Sequence, residues 1–249
     1  MKLRINAVSD VGLVRLRNED MVLVFPELVR DSQLNKVVTI DDENKIFIAA
    51  VADGMGGHSA GDYASKYLLG NMLSEISELP ADLTEEQLKD YFISMIESIH
   101  RQIVKESKMD SSKSGMGSTL ISLLFYSSKI YLINVGDSRF YRFRDGILKK
   151  MSKDHSLAES LGQDRSSSHV LLNSVGGGEN VFVEINDVTD YLIDNDIVFL
   201  CSDGLSDMIS DEKIESVLSE NSSINSLVNA AKDAGGKDNI SIVLIKIEE

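Results

Sequence analysis

The stretch IFIAAVADGMGGHSAGDYA, residues 46–64, runs seven apolar residues into Asp53, then a knot of glycines, then a helix-like pattern. The arrangement returns in IYLINVGDS (130–138), IVFLCSDG (197–204) and GGKDNISIVLI (235–245). A buried strand ending in a carboxylate is costly unless something answers the charge. Four such ends in one chain make these carboxylates the centre of any account of fold and function.

Composition limits what they serve. The chain has 249 residues, 43% hydrophobic and 26% charged, with two prolines (Pro26, Pro80) and no low-complexity linker, so one globular domain over 1–249 is expected. Forty acidic against twenty-five basic residues give a formal charge of −15, which disfavours a nucleic-acid partner and suits divalent cations. MKLRINAVSD at the start lacks an apolar leader pattern, and no apolar run approaches bilayer length; a cytoplasmic protein is expected, with no membrane partner. The single cysteine, Cys201, fits a reducing compartment. As a phosphatase-type nucleophile it would want an Arg six residues on, where Asp207 stands, so it is read as a small apolar residue in a strand.

Strand-like runs fall near 2–8, 20–25, 46–52, 118–126, 129–135, 138–144, 147–151, 181–186, 196–202 and 240–247, with Asp145-Gly146 as a tight hairpin turn. One helix is expected from Ala60. Another follows Thr84, whose Thr-x-x-Gln forms a capping box ahead of Leu88, Phe92, Met95, Ile96, Ile99 and Ile103, and two more lie near 211–219 and 223–233. Consecutive helices and a long β-meander replace strict β-α-β alternation. The expected fold is α+β, a four-layer α-β-β-α sandwich of mostly antiparallel sheets flanked by helix pairs.

RLRNEDMVLVF adds Arg15, Glu19 and Asp20 at the mouth of another apolar run, so with Asp53, Asp137, Asp203 and Asp238 chain-distant acids gather at strand and loop ends. An all-oxygen set suits magnesium, manganese or calcium, whereas the scattered His58, His100, His155 and His169 give no zinc pattern. Taken singly, Asp-Gly after a strand is a turn, Asp238-Asn239 is turn chemistry, and Arg15 is a surface charge. GMGGHS is neither a dinucleotide fingerprint nor a Walker loop.

RLRNED, VADGMGGHSAGDYAS, MGST, NVGDSRFYR, KDHS, LCSDGLSD and GGKDNISIVLI, in this order, resemble the bacterial branch of the metal-dependent protein serine/threonine phosphatases, the PPM or type-2C family. The resemblance runs from about Asn6 to Ile245. It implies two divalent cations, manganese or magnesium, at one end of the sandwich, and hydrolysis of phosphoserine and phosphothreonine by a metal-bridging hydroxide without a covalent phosphoenzyme. Carried over by position, Asp53 would bridge both cations and Gly54 would offer its carbonyl. Glu19 would hold one metal directly or through water, and Asp203 and Asp238 would complete the other. Asp137 with Asp203 would hold a weaker third. Asp20 and Asn239 would orient these residues, and Arg15 would clamp the substrate phosphate. The implied partners are phosphorylated proteins, a Ser/Thr kinase or its targets, met by a monomer.

The chain departs from the family in places. Met55 stands where eukaryotic relatives have a His proposed as general acid, and His58 is a candidate replacement. Residues 28–44 read as an extra hairpin, and the flap at 157–178 reads as short. Two other functions remain open: a non-catalytic module of the same fold, disfavoured because all the acids are present, and a phosphatase dedicated to one regulatory phosphoprotein.

Overall fold

The structure, a computed structural model, describes residues 1–56, 60–163, 168–221 and 223–248. In chain order its elements are β1 (Lys2–Asp10), β2 (Met21–Val24), β3 (Glu27–Val29), β4 (Ser32–Thr39), β5 (Ile46–Ala52), β6 (Gly54–Met55), α1 (Ala60–Ser77) and α2 (Glu85–Met109). There follow β7 (Gly117–Ser118), β8 (Leu120–Tyr126), β9 (Lys129–Val135), β10 (Arg139–Arg144), β11 (Ile147–Lys150), α3 (Leu157–Ser160) and β12 (Glu184–Asp187). The chain closes with β13 (Ile197–Cys201), α4 (Asp203–Ser206), α5 (Asp211–Glu220), α6 (Ile224–Asp233) and β14 (Ile240–Glu248).

Two six-stranded antiparallel sheets, ordered β11-β10-β13-β14-β1-β4 and β12-β9-β8-β5-β2-β3, stack face to face. The opening stretch shows why. In β5, Phe47, Ala49 and Val51 point into the inter-sheet core, while Ile48, Ala50 and Ala52 point under α1 and α2. Burial on both faces turns the alternation of a half-exposed strand into an unbroken apolar run. On the other side, α5 and α6 cover the second sheet through Ile214, Leu218, Leu227 and Ala231 against Phe199, Ile242 and Leu244. The four layers are as expected.

Local signals act where the sequence places them. Thr84 Oγ1 accepts from the Gln87 N–H at 3.3 Å and Gln87 Oε1 accepts from the Thr84 N–H at 2.9 Å, starting α2. Asp145 and Gly146, at φ 52° and 81°, turn β10 into β11. One expectation is corrected: residues 28–44 form no hairpin with themselves. β3 pairs with β2 in one sheet and β4 pairs with β1 in the other, so the segment crosses between edges, because each strand finds an unpaired neighbour there. Gly57 and His58 lie outside the described residues, as do 164–167 of the flap. Among the described residues no helix is long and apolar enough to cross a membrane.

Candidate metal centre

A cleft of about 230 Å³ opens at one end of the two sheets, and its wall includes Arg15, Glu19, Asp53, Gly54, Asp137, Asp203 and Asp238. The sheets make this convergence. Asp53 follows the last residue of β5, Asp137 follows β9, Asp203 begins α4 one residue after β13, and Asp238 precedes β14. Asp20 and Asn239 sit behind the wall, 1% and 3% exposed.

Backbone and neutral side chains hold Asp53, Asp20 and the loop of Glu19 in place. The Asp53 N–H donates to Thr119 Oγ1 at 3.0 Å, the Thr119 N–H returns to the Asp53 carbonyl at 2.9 Å, and Thr119 Oγ1 shares a 2.7 Å hydrogen bond with Ser138 Oγ beside Asp137. Gly54 is pressed so closely that a Cβ would run into the backbone oxygens of Gly61 and Glu19. Asn239 uses its whole amide. Oδ1 accepts from the Glu19 N–H at 2.8 Å, and Nδ2 donates to the carbonyls of Val11 and Arg17 at 3.0 Å each, fixing both ends of the loop that carries Arg15. Asp20 Oδ2 accepts from Ser202 Oγ at 2.8 Å.

The electrostatics are those of an uncompensated acid cluster. Burial first, then the charges of Asp20, Asp203, Asp137 and Asp238, hold the Asp53 carboxyl well above its ordinary value. Burial pushes Asp20 up to about 8 against the hydrogen bonds from Ser241 and Ser202. Glu19 is raised by burial, with Arg15 opposing. Arg15 donates to Asp238 Oδ2 at 2.7 Å, half-exposed, while Asp238 Oδ1 accepts from the Asn239 N–H at 2.9 Å; each oxygen keeps a further lone pair. Among the described residues no group of three or more His, Cys, Asp or Glu side chains already has the spacing to hold a metal ion. Like charges sharing one cleft hold one another off. The donors are oxygen throughout and the acids outnumber the one Arg15 in the cleft wall, so the set fits hard divalent cations.

Thr119, Ser138 and His155 stand in MGST, NVGDSRFYR and KDHS, but those motifs gave them no role in the sequence reading. Thr119 and Ser138 are ordinary hydroxyls until the strands bring them together. His169 and Leu171 join the cleft wall from the flap, with His169 Nδ1 3.2 Å from Asp207 Oδ2. His155 buttresses Asp137: its N–H donates to the Gly136 carbonyl at 2.8 Å, and its Nδ1 accepts from the Gly136 N–H at 3.2 Å. Cys201 is fully buried, which raises its thiol pKa and removes it as a nucleophile.

A family model described as Protein phosphatase 2C matches residues 20–165, more than half of the chain. The chain belongs to the protein phosphatase 2C family. This family member is 29% identical to the serine/threonine phosphatase stp of Listeria monocytogenes over 96% of this chain and 93% of the relative. Its fold matches the serine/threonine phosphatase of S. agalactiae with TM-score 0.83 and 26% identity, covering 99% of this chain and 100% of the other. It also matches the catalytic domain of PstP, solved in complex with two manganese ions, with TM-score 0.75 and 30% identity over 100% and 99% of the two chains.

Proposed function

We propose that this protein phosphatase 2C member, acting as one domain over residues 1–249, removes phosphate from phosphoserine and phosphothreonine in proteins at the acidic cleft. The observation that carries this reading is the gathering of Glu19, Asp53, Asp137, Asp203 and Asp238 with Arg15 in one cleft wall. The names of its relatives support the same substrate class, and the manganese-bound PstP supports metal dependence.

In this reading Asp53, the Gly54 carbonyl, Glu19, Asp203 and Asp238 would hold two divalent cations, manganese or magnesium, and Asp137 with Asp203 would hold a weaker third. Bound there, divalent cations would make a water nucleophilic near neutral pH and take up charge as the phosphoryl group transfers. The Arg15 guanidinium, at the exposed lip of the cleft, turns from Asp238 to the substrate phosphate, whose two oxygens match its planar fork. Asn239 keeps the loop bearing Arg15 and Glu19 at a fixed height above Asp238. The natural substrates are products of a Ser/Thr kinase, or the kinase itself.

The test is hydrolysis of matched phosphoserine, phosphothreonine and phosphotyrosine peptides with chelator, calcium, magnesium or manganese. Turnover of the first two peptides, abolished by chelator and restored by manganese better than by calcium, is expected. Full activity in excess chelator, or a clear preference for phosphotyrosine, overturns the reading.

A further inference from the structure

His100 lies on α2, well away in sequence from every cleft residue, and is 3% exposed. Its Nδ1 accepts a hydrogen bond from the Gly176 N–H at 3.0 Å. An accepting nitrogen carries no proton, so the neutral ring bears its hydrogen on Nε2. That atom is buried and has no hydrogen-bond partner. A buried N–H left unpaired costs on the order of 1–3 kcal/mol, so a ligand acceptor gains there once a turn of the ring brings this sealed atom to the groove that His100 lines.

The surroundings say which acceptor. His100 forms part of the wall of a groove of about 350 Å³ whose charged members are Arg101, Lys105, Lys108 and Glu179. Arg101, Lys105 and Lys108 are spaced four and three residues apart, so they share one face of α2. Lys108 stands in the last turn, where it also answers the negative end of the helix, and Arg101 lies 3.5 Å from exposed Glu97. Three cations against Glu179 and the exposed Glu97 that Arg101 meets, with His100 in the same wall, favour a multiply charged oxyanion with several acceptor oxygens over a cation or a neutral ligand.

We propose that the groove beside His100 is a second oxyanion site, separate from the acidic cleft, that takes a phosphate group. Two sources share this chemistry: inorganic phosphate, the product of the reaction, and a further phosphorylated residue on a protein substrate. The site also has a route to the cleft. Gly176, held by His100, follows Val175, which exchanges two 2.8 Å backbone hydrogen bonds with Ser118, and the next residue, Thr119, holds Asp53. The Gly176 backbone is pressed against α2, where a Cβ would run into Ile103. Phosphate on Nε2 therefore loads the strand that positions Asp53.

The experiment titrates inorganic phosphate into the magnesium-loaded full chain, with chloride at matched ionic strength as control, and follows the His100 ring Nε2–H resonance by NMR. A saturable shift with a dissociation constant of about 1 mM is expected. In the Arg101→Glu, Lys105→Glu double variant, which leaves the His100–Gly176 bond and the cleft untouched, affinity falls at least about tenfold while para-nitrophenyl phosphate turnover stays at the native value. A His100 signal that stays still up to about 20 mM phosphate, or moves as readily in the double variant, overturns the site. Peptides then separate the sources. A KM about tenfold lower for a doubly than for a singly phosphorylated peptide, lost in the double variant, assigns the groove to substrate. Equal KM values alongside the phosphate-dependent shift assign it to free phosphate. Because the NMR arm reads binding without turnover, its failure is distinct from failure of the cleft chemistry.

Discussion

Arg15 and Asn239 divide the work at the cleft mouth. The Arg15–Asp238 pair is 50% and 37% exposed, so it contributes at most about 1 kcal/mol to stability. Arg15→Ala is expected to leave the melting temperature nearly unchanged and raise KM for a phosphopeptide by about 10- to 100-fold, because a charge-assisted phosphate contact is lost. Steady-state kinetics with unchanged KM would return this residue to an ordinary surface charge. Asn239→Ala removes three hydrogen bonds from a buried position, two of them to carbonyls that nothing else on the same side chain can satisfy. A stability loss of roughly 1–3 kcal/mol, measured by denaturant unfolding, should accompany weaker metal binding. Asp53, Asp137 and Asp203 were legible in the sequence because each follows a strand and adjoins a Gly, and Glu19 and Asp238 because each stands just ahead of an apolar run. The roles of Thr119, Ser138 and His155 were not, although their motifs were, since a hydroxyl or an imidazole gains its role only from a partner 19 residues away.

The elements were readable wherever a strand or helix is buried on a recognisable face. α2 announces itself through Thr84, Gln87 and a stripe from Leu88 to Ile103, and β5 through an apolar run that only double-sided cover permits. Thr84→Ala is expected to cost about 1 kcal/mol in thermal or denaturant unfolding and to leave KM unaltered, because the cap lies at the far end of α2 from Ile103 and Gly176. A change in KM would show that α2 communicates with the cleft along its length. Residues 28–44 were misread for a physical reason. Strand pairing is chosen by which sheet edge is vacant, and sequence shows strand character without showing edges. Asp31, at φ 50°, turns the chain between β3 and β4 and sends each to its own sheet.

Across the whole molecule, stability and function are opposed at Asp53. Its carboxyl is raised well above the ordinary 3.8, so the protonated form is favoured in the fold. Such a group contributes stability below the unfolded value and loses it as pH rises through the folded one. In chelator, native protein and Asp53→Asn should therefore unfold alike near pH 4. The variant should become progressively more stable than native as pH rises, by at most about 1.4 kcal/mol per pH unit. Magnesium or manganese should stabilise native protein far more than the variant, which should be inactive. Denaturant unfolding across pH, with and without metal, checks this; a pH-independent gap would show that Asp53 ionises freely in the fold. The pairing of β1 with β14, from Lys2↔Glu248 to Asp10↔Ile240, carries a consequence in time. The strands of the sheet containing β12 end at Asp187, whereas the other sheet waits for β14. Asp203 and Asp238 arrive with that late portion, so the cleft is incomplete until it has been made. It becomes competent to act on phosphoproteins only once synthesis has passed Asp238 and β14 has zipped beside β1.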